Sequence, residues 1–235
     1  RSLSVSSKMV AYTVFCANIS SEMSAARPAT LFQVYGNRKI AYLMLLGFSS
    51  GMPLYLTSQT LIAWLSIENV DLTTIGLFAL VGLPYSLKFL WSPFIDRFTF
   101  PVLGRRRGWI ALCQVLLIVS ISAIALVGSS NSGSSSLNLY LIAAVAVVVA
   151  FFSATQDIAI DAYRIDVLST SEYGAGAAVN TWGYRIALLL TGSAALILAD
   201  HMTWPIVYLI MASCMLLGLF ASVRAPEPKN PGTPP

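Results

Sequence analysis

Six long apolar stretches, separated by short polar connections, are the feature that most constrains this chain. Each stretch is long enough to cross the roughly 30 Å of hydrocarbon in a bilayer as a helix. Charged residues make up only 10% of the sequence and hydrophobic residues 57%, whereas a soluble domain carries about 25% charged residues. We therefore predict an all-α membrane protein that lies in a lipid bilayer, with transmembrane helices over residues 40–64, 72–95, 109–127, 137–162, 175–199 and 204–223.

The connections between the stretches alternate in charge, and this predicts how the helices are oriented. Three connections, residues 66–71, 128–136 and 200–203, contain no lysine or arginine. Basic residues instead precede the first stretch, lie between the second and third and between the fourth and fifth, and follow the sixth. Because basic loops tend to stay on the cytoplasmic side, we expect both ends of the chain to be cytoplasmic and the other three loops to face outward.

The remaining composition argues against several classes of function. The formal charge is +4, but the basic residues are scattered among apolar stretches, so no nucleic-acid surface is predicted. Cys16, Cys113 and Cys214 lack metal-ligand spacing, and His201 is the single histidine; we therefore expect no metal site, no cofactor and no catalytic residues. An intramembrane enzyme, such as a lipid-modifying hydrolase or transferase, is the alternative of another class, and it would need a nucleophile with a base or a metal cluster.

The two ends of the sequence differ from the apolar region. Residues 1–33 are predicted to be an N-terminal tail. Within it, residues 1–22 are expected to be upstream read-through or a fragment edge, because Met23 is the more natural start. Residues 34–224 form the predicted six-helix domain. Residues 225–235 are rich in proline, and we expect them to extend like polyproline II as the start of a cytoplasmic linker.

One segment of the fourth stretch, residues 153–164, combines an apolar helix with charged side chains. Asp157, Asp161 and Arg164 are spaced four and three residues apart, which places them on one stripe of a helix. A carboxylate at membrane depth costs several kcal/mol unless it faces protein or water and finds a partner. We therefore predict that Asp157 and Asp161 carry protons in a transport pathway. The alternative is that Asp161 and Arg164 simply pair at the water interface.

Polar residues also interrupt the first two stretches. Residues 47–53 read Gly-Phe-Ser-Ser-Gly-Met-Pro, which indicates either a cavity-lining break in the helix or close helix packing through small residues. Gln59, further along the first stretch, favours a cavity. Lys88 lies deep in the second stretch, where it either reaches the interface by snorkelling or pairs with Asp157.

The fifth stretch holds Asn180 and Tyr184 on one side, with Arg185 beside them. An arginine about ten residues from a helix end suits a carboxylate, whether on the protein or on a solute. We predict that Arg185 and Lys88 bind charged groups, and that Asn180, Tyr184 and Gln156 bond sugar or peptide groups of a solute.

The loop between the second and third stretches contains Asp96 and Arg97, followed by the run Gly104-Arg105-Arg106-Arg107. A carboxylate at one helix end beside an arginine cluster can join neighbouring helix ends through charge-assisted hydrogen bonds. We predict that this loop is a conformational latch; the alternative is membrane anchoring by the positive charges alone.

This loop resembles the G-x-x-x-D-R/K-x-G-R-R/K signature of the major facilitator superfamily. Asp96, Arg97 and the Gly104–Arg106 run fit the pattern, whereas Ser92 replaces the leading glycine and the spacing before Gly104 is longer. Within that superfamily, residues 47–57, 85–107 and 153–164 resemble the AmpG-type muropeptide permeases. Acetyl-coenzyme A transporters share much of the same pattern.

The resemblance implies an importer in the inner membrane of Gram-negative bacteria. Such permeases carry N-acetylglucosaminyl-anhydro-N-acetylmuramyl peptides into the cytoplasm with protons, for cell-wall recycling. They consist of two six-helix halves with the solute site between them, so this chain is expected to supply the N-terminal half-bundle and to need a C-terminal half. The alternatives are an acetyl-CoA or other anionic-solute transporter of the same superfamily, and a membrane fragment that does not transport.

Overall fold

The computed structural model describes residues 38–98, 104–129 and 136–227, and within them every regular element is a helix. The side chains at five of these positions, Asp96, Arg105, Ser136, Leu137 and Ser171, fall outside the description. The predicted N-terminal tail and most of the predicted proline-rich linker also lie outside the described residues.

Among the described residues, six helices are long and apolar enough to cross a membrane, as predicted. They are α1 (Arg38–Ile67), α2 (Leu72–Leu90), α3 (Arg106–Ser129), α4 (Asn138–Val167), α5 (Tyr173–Ala199) and α6 (Trp204–Arg224). The predicted second span was too long, because α2 ends at Leu90 and a separate short helix, Ser92–Arg97, follows a turn at Trp91. Pro93 lies in the first turn of that short helix, where its fixed φ and missing N–H favour a helix start.

Side-chain contacts show that neighbouring spans run in opposite directions. Lys39, at the start of α1, donates a hydrogen bond to the carbonyl of Val167 at the end of α4 (3.2 Å). Arg106, at the start of α3, pairs with Asp166 near the end of α4 (3.1 Å). We call this the basic end of the bundle. At the opposite end, Trp64 of α1 stacks on Trp204 of α6 with ring centroids 5.9 Å apart.

Helix α1 is the most buried of the six spans and packs closely on α5. A Cβ atom on Gly183 would lie 2.1 Å from the carbonyl oxygen of Met44, and one on Gly47 would lie 2.2 Å from that of Asn180. Only glycine permits this approach, so the close-packing interpretation of residues 47–53 is confirmed. Beyond Pro53 the helix widens into a π-helical turn, Leu56–Thr60.

The core consists mostly of apolar side chains from α1, α3, α4 and α6, with smaller contributions from α2 and α5. Tyr208 of α6 is fully buried and donates its hydroxyl to the carbonyl of Leu56 (2.8 Å). Helix α2, in contrast, leaves many large apolar side chains exposed, including Leu77, Leu80 and Phe89. Such a surface requires lipid or further protein rather than water.

Candidate functional site

Asp157 of α4 lies against α1 near the middle of the bundle. The hydroxyl of Ser50 donates a hydrogen bond of 2.5 Å to Asp157 Oδ1. The Asp157 side chain is half-buried and Ser50 is buried. A short bond from a hydroxyl to a carboxylate is the strong, charge-assisted kind. Ser50 was not predicted as a site residue, although its position among the small residues at 47–53 placed it on a polar turn.

Further polar groups surround Asp157. Lys88 of α2 and Asp161 lie within electrostatic range of its carboxylate. Tyr85 of α2 and Tyr184 of α5 are also close to it. The Tyr85 hydroxyl faces Ser153 Oγ, one helical turn from Asp157, and both atoms are buried. Tyr85 and Ser153 are therefore site residues that the sequence analysis missed.

The predicted stripe on α4 divides into two parts. Asp161 and Arg164 form an ion pair of 3.1 Å one turn apart, and the Asp161 side chain is 54% exposed. The pairing predicted as the alternative for these two residues is thus present. Asp157, one turn deeper, is held by Ser50 instead. The two carboxylates consequently occupy different environments.

Lys88 lines an open groove at the basic end, between α2 and α4. The groove has a volume of about 390 Å³. Its polar lining residues are Lys88, Ser92, Arg106, Asp161 and Asp166. Within the described residues, Lys88 forms no ion pair shorter than 4 Å, so the direct pair with Asp157, one of the two alternatives from the sequence, is not formed. Lys88 is an available cation in a groove of mixed charge.

The structure separates the other predicted solute-binding residues. Gln59 and Arg185 are exposed, and neither makes a hydrogen bond or an ion pair within the part of the chain that is described. Tyr184 is half-buried beside Asp157, and Asn180 packs against Gly47 with its amide oxygen buried. Gln156 is fully buried and bonds Ser49 inside the bundle (3.4 Å) rather than facing an open surface.

The predicted latch loop joins three helix ends at the basic end. Arg106 pairs with Asp166, and both side chains are largely buried. Gly104 has φ = +83°, a conformation that glycine adopts readily, and a Cβ there would lie 2.1 Å from the carboxylate of Glu227. Arg97 is exposed, while the side chains of Asp96 and Arg105 lie outside the described residues.

Arg107 binds backbone rather than a carboxylate. Its Nε donates to the carbonyl of Ser222 (3.1 Å) and its Nη2 to that of Val223, at the end of α6. The last carbonyls of a helix have no partner within the helix and carry partial negative charge. Arg107 thus caps α6, and Tyr163 donates to the carbonyl of Pro226 just beyond it (2.7 Å). Asp166 and these carbonyls are partners that the sequence analysis did not identify.

Acidic residues elsewhere do not gather as metal ligands would. Among residues 38–98, 104–129 and 136–227, no three His, Cys, Asp or Glu side chains could hold one ion together.

Comparisons with known proteins identify the family of this chain. Residues 39–204 match the family model described as acetyl-coenzyme A transporter 1. The chain is 48% identical over 199 residues to the anhydromuropeptide permease of Escherichia coli K12, a match that covers 84% of this chain and 39% of that protein.

Two further relatives show the same pattern. An uncharacterized protein of Haemophilus influenzae is 42% identical over 193 residues, with 82% of this chain and 44% of the relative covered. The putative transporter AmpG 4 of Rickettsia felis is 35% identical over 185 residues, with 77% of this chain and 43% of the relative covered. This chain thus spans less than half the length of these relatives. Because the family model matches more than half of the sequence, the chain belongs to the acetyl-coenzyme A transporter family, as its resemblance to AmpG-type permeases and their acetyl-CoA relatives predicted.

Proposed function

We propose that this chain forms part of a proton-coupled permease that imports cell-wall anhydro-muropeptides across the bacterial inner membrane for peptidoglycan recycling. The observation that carries the proposal is the 48% identity over 199 residues to the E. coli anhydromuropeptide permease. The protein acts as a transporter and not as an enzyme. Both termini are cytoplasmic in this proposal, since the basic end carries Lys39, Arg106, Arg107 and Arg224.

Asp157 is the proposed proton-coupling residue. Its carboxylate lies inside a membrane-spanning helix, where a permanent unpaired charge is unfavourable. Ser50 of α1 donates to the carboxyl group of Asp157; such a bond is stronger to an ionised carboxylate, so protonation of Asp157 weakens a contact between α1 and α4. A proton bound at this position therefore changes how two spans are held together, which is the property that coupling requires. Asp161, paired with Arg164, is the second candidate.

A muropeptide carries sugar hydroxyls, peptide amides and carboxylates, and the side chains of the proposed solute-binding residues match these groups. Tyr184 and Asn180 supply a hydroxyl and an amide, while Lys88 and Arg185 supply cations for solute carboxylates. Gln59 is exposed on α1 and belongs to the same proposed set. Gln156 fits this role poorly because it is fully buried.

The proposed solute site needs protein beyond these six helices. Gln59 and Arg185 are exposed, and the relatives are more than twice as long as the matched region. We propose that a second set of helices, a C-terminal half-bundle, faces these residues and closes the site. The latch residues at the basic end, Arg106 and Arg107 among them, then control the exchange between conformations without contacting the solute.

An acetyl-CoA transporter is the second candidate, favoured by the family model that the chain matches. A polyanionic solute of that kind requires several cations at membrane depth. Within the described spans, Arg185 is the cation that lies far from a helix end, whereas Lys88 lies two residues before the end of α2. Two cationic side chains suit a solute with one or two carboxylates better than a polyphosphate.

Transport in right-side-out vesicles tests the proposal. The vesicles come from cells that lack their own permease and express this chain together with the part of the E. coli permease that it does not match. We expect accumulation of radiolabelled anhydro-muropeptide that a protonophore abolishes. Accumulation of acetyl-CoA in its place would favour the second candidate, and accumulation of neither solute by a well-expressed protein would contradict both.

Paired substitutions then test the coupling residue. Asp157→Asn keeps the volume and mimics the protonated state, so we expect it to abolish proton-driven accumulation while solute exchange or binding remains measurable. Asp161→Asn in the same vesicles is the matched control and should retain accumulation. If Asp157→Asn still concentrates solute, Asp161 or the additional helices carry the proton.

A further inference from the structure

Two glutamine side chains lie in the interior of the bundle, away from the site around Asp157. Gln114 of α3 and Gln156 of α4 are both 0% exposed. Gln114 is eight residues from the start of α3, about 12 Å along the helix at a rise of about 1.5 Å per residue. Because both side chains are fully buried, their hydrogen-bonding groups need partners in the interior, either protein groups or bound water.

The protein itself leaves most of these groups unpaired. Gln114 has no hydrogen bond on either amide atom, and Gln156 has none on Oε1, within the described residues. The one bond that the pair makes runs from Gln156 Nε2 to Ser49 Oγ at 3.4 Å. The Ser49 hydroxyl already donates to the carbonyl of Leu46 (3.0 Å). Its remaining capacity is therefore as an acceptor.

Ser49, the hydrogen-bond partner of Gln156, and the unpaired amide of Gln114 meet at a junction of four helices. A Cβ atom on Gly218 of α6 would lie 2.4 Å from Ser49 Oγ and 2.5 Å from Gln114 Nε2. Ser49 Oγ and Gln114 Nε2 are therefore within about 5 Å of each other, a gap that a single small molecule can bridge. Gly218 is the residue of α6 at this junction, and a Cβ atom there would collide with both polar atoms.

The mixture of donors and acceptors identifies the chemistry of the ligand. A cation would bind the two amide oxygens but would be repelled by the N–H groups of Gln114. An anion would meet the opposite conflict. A water molecule can donate to both oxygens and accept from Gln114 Nε2, and buried waters typically make about three such bonds. We propose that Ser49, Gln114 and Gln156 form a buried water-binding site of one or two molecules at the junction of α1, α3, α4 and α6.

This site lies directly behind the proposed coupling residue. Ser49 and Ser50 are consecutive on α1, and Gln156 and Asp157 are consecutive on α4. The same two helices thus meet twice, through Ser50–Asp157 on one side and through Ser49–Gln156 on the other. Water held at the second contact joins α3 to that pair and fixes the distance between α1 and α4. The inference does not depend on which solute the protein carries.

A structure of the purified chain at a resolution that shows ordered water tests the site directly. We expect one or two peaks within hydrogen-bonding distance of Gln114 Oε1 and Gln156 Oε1. Two results would overturn the proposal. One is a dry junction in which the two amides rotate and bond each other. The other is an anomalous signal at the junction after soaking with rubidium or thallium, which would indicate a cation.

Thermal stability of leucine variants provides the second measurement, and the sign of the change is diagnostic. If the amides bind water, Gln114→Leu and Gln156→Leu each lower the Tm, because each leaves the opposite amide with an incomplete site. The double variant then loses less than the two single losses added together, since neither orphaned group remains. If the amides are dry and unpaired, each leucine raises the Tm and the effects add, which would refute the site.

Discussion

Arg107 offers the sharpest test of how the helix ends are joined. Its guanidinium crosses from the start of α3 to the end of α6, where Nε bonds the carbonyl of Ser222 at 3.1 Å and Nη2 bonds that of Val223. The perturbation is Arg107→Gln, which removes the charge and the planar fork. Arg107→Lys is the conservative comparison, because it keeps the charge but cannot bond both carbonyls in one plane.

The expected loss follows from these two bonds. A hydrogen bond from a charged donor contributes about 1.5–3 kcal/mol, and the partly buried bond to Ser222 belongs at the lower end of that range. The bond to Val223 is exposed and contributes about 0.5 kcal/mol after screening by solvent. The positive charge at the end of a helix adds about 0.5 kcal/mol. Arg107→Gln should therefore destabilise the fold by about 2.5 kcal/mol, and Arg107→Lys by about 1 kcal/mol.

Thermal unfolding in detergent measures this difference. For a chain of this size, 2.5 kcal/mol corresponds to a fall in Tm of about 5–10 °C. Arg224 provides a matched control at the same helix end, since it is exposed and stacks over the ring of Phe220 at 5.5 Å. Arg224→Gln should lower the Tm by only about 2 °C. If the two glutamine variants unfold at the same temperature, Arg107 does not hold α6 and the latch must lie elsewhere.

Three further predictions concern packing, pH and orientation. Gly183→Ala should destabilise by about 1–3 kcal/mol because its Cβ would clash with α1, whereas Gly174→Ala, with nothing within 4 Å, should leave the Tm unchanged or slightly higher. Asp71 caps the start of α2, and hydrogen bonds from Thr74 hold the pKa of its carboxyl below the usual range. The Tm of the unsubstituted chain should therefore exceed that of Asp71→Asn by the full amount at neutral pH, and this difference should shrink on acidification. A difference that grows in acid would contradict the capping role of the ionised carboxylate. A cysteine at Ser132, in a chain whose own three cysteines are replaced, should react with an impermeant thiol reagent from the periplasm, and labelling from the cytoplasm alone would reverse the proposed orientation.

The sequence alone determined the number of spans, their approximate limits and the convergence of the basic residues at one end. These features depend on properties that are local in the chain. Hydrophobic length decides whether a segment can cross a bilayer, and an unbroken helix over residues 153–164 followed from the absence of any turn signal. The error in the second span had a local cause too, since Pro93 begins a new helix where the apolar run continues.

The partners of the polar side chains depended on the tertiary structure. Asp157 and Gln156 are neighbours on one helix, yet the first reaches Ser50 at the site and the second reaches Ser49 inside the core. Which partner each side chain reaches depends on the rotation of each helix about its axis. That rotation is set by the close packing of α1 on α5, which glycines such as Gly47 and Gly183 permit. In the same way, the sequence showed that Arg107 was charged and near a helix end, but its partners are backbone carbonyls of α6. Every residue carries a backbone carbonyl, so no sequence pattern distinguishes the ones that Arg107 binds.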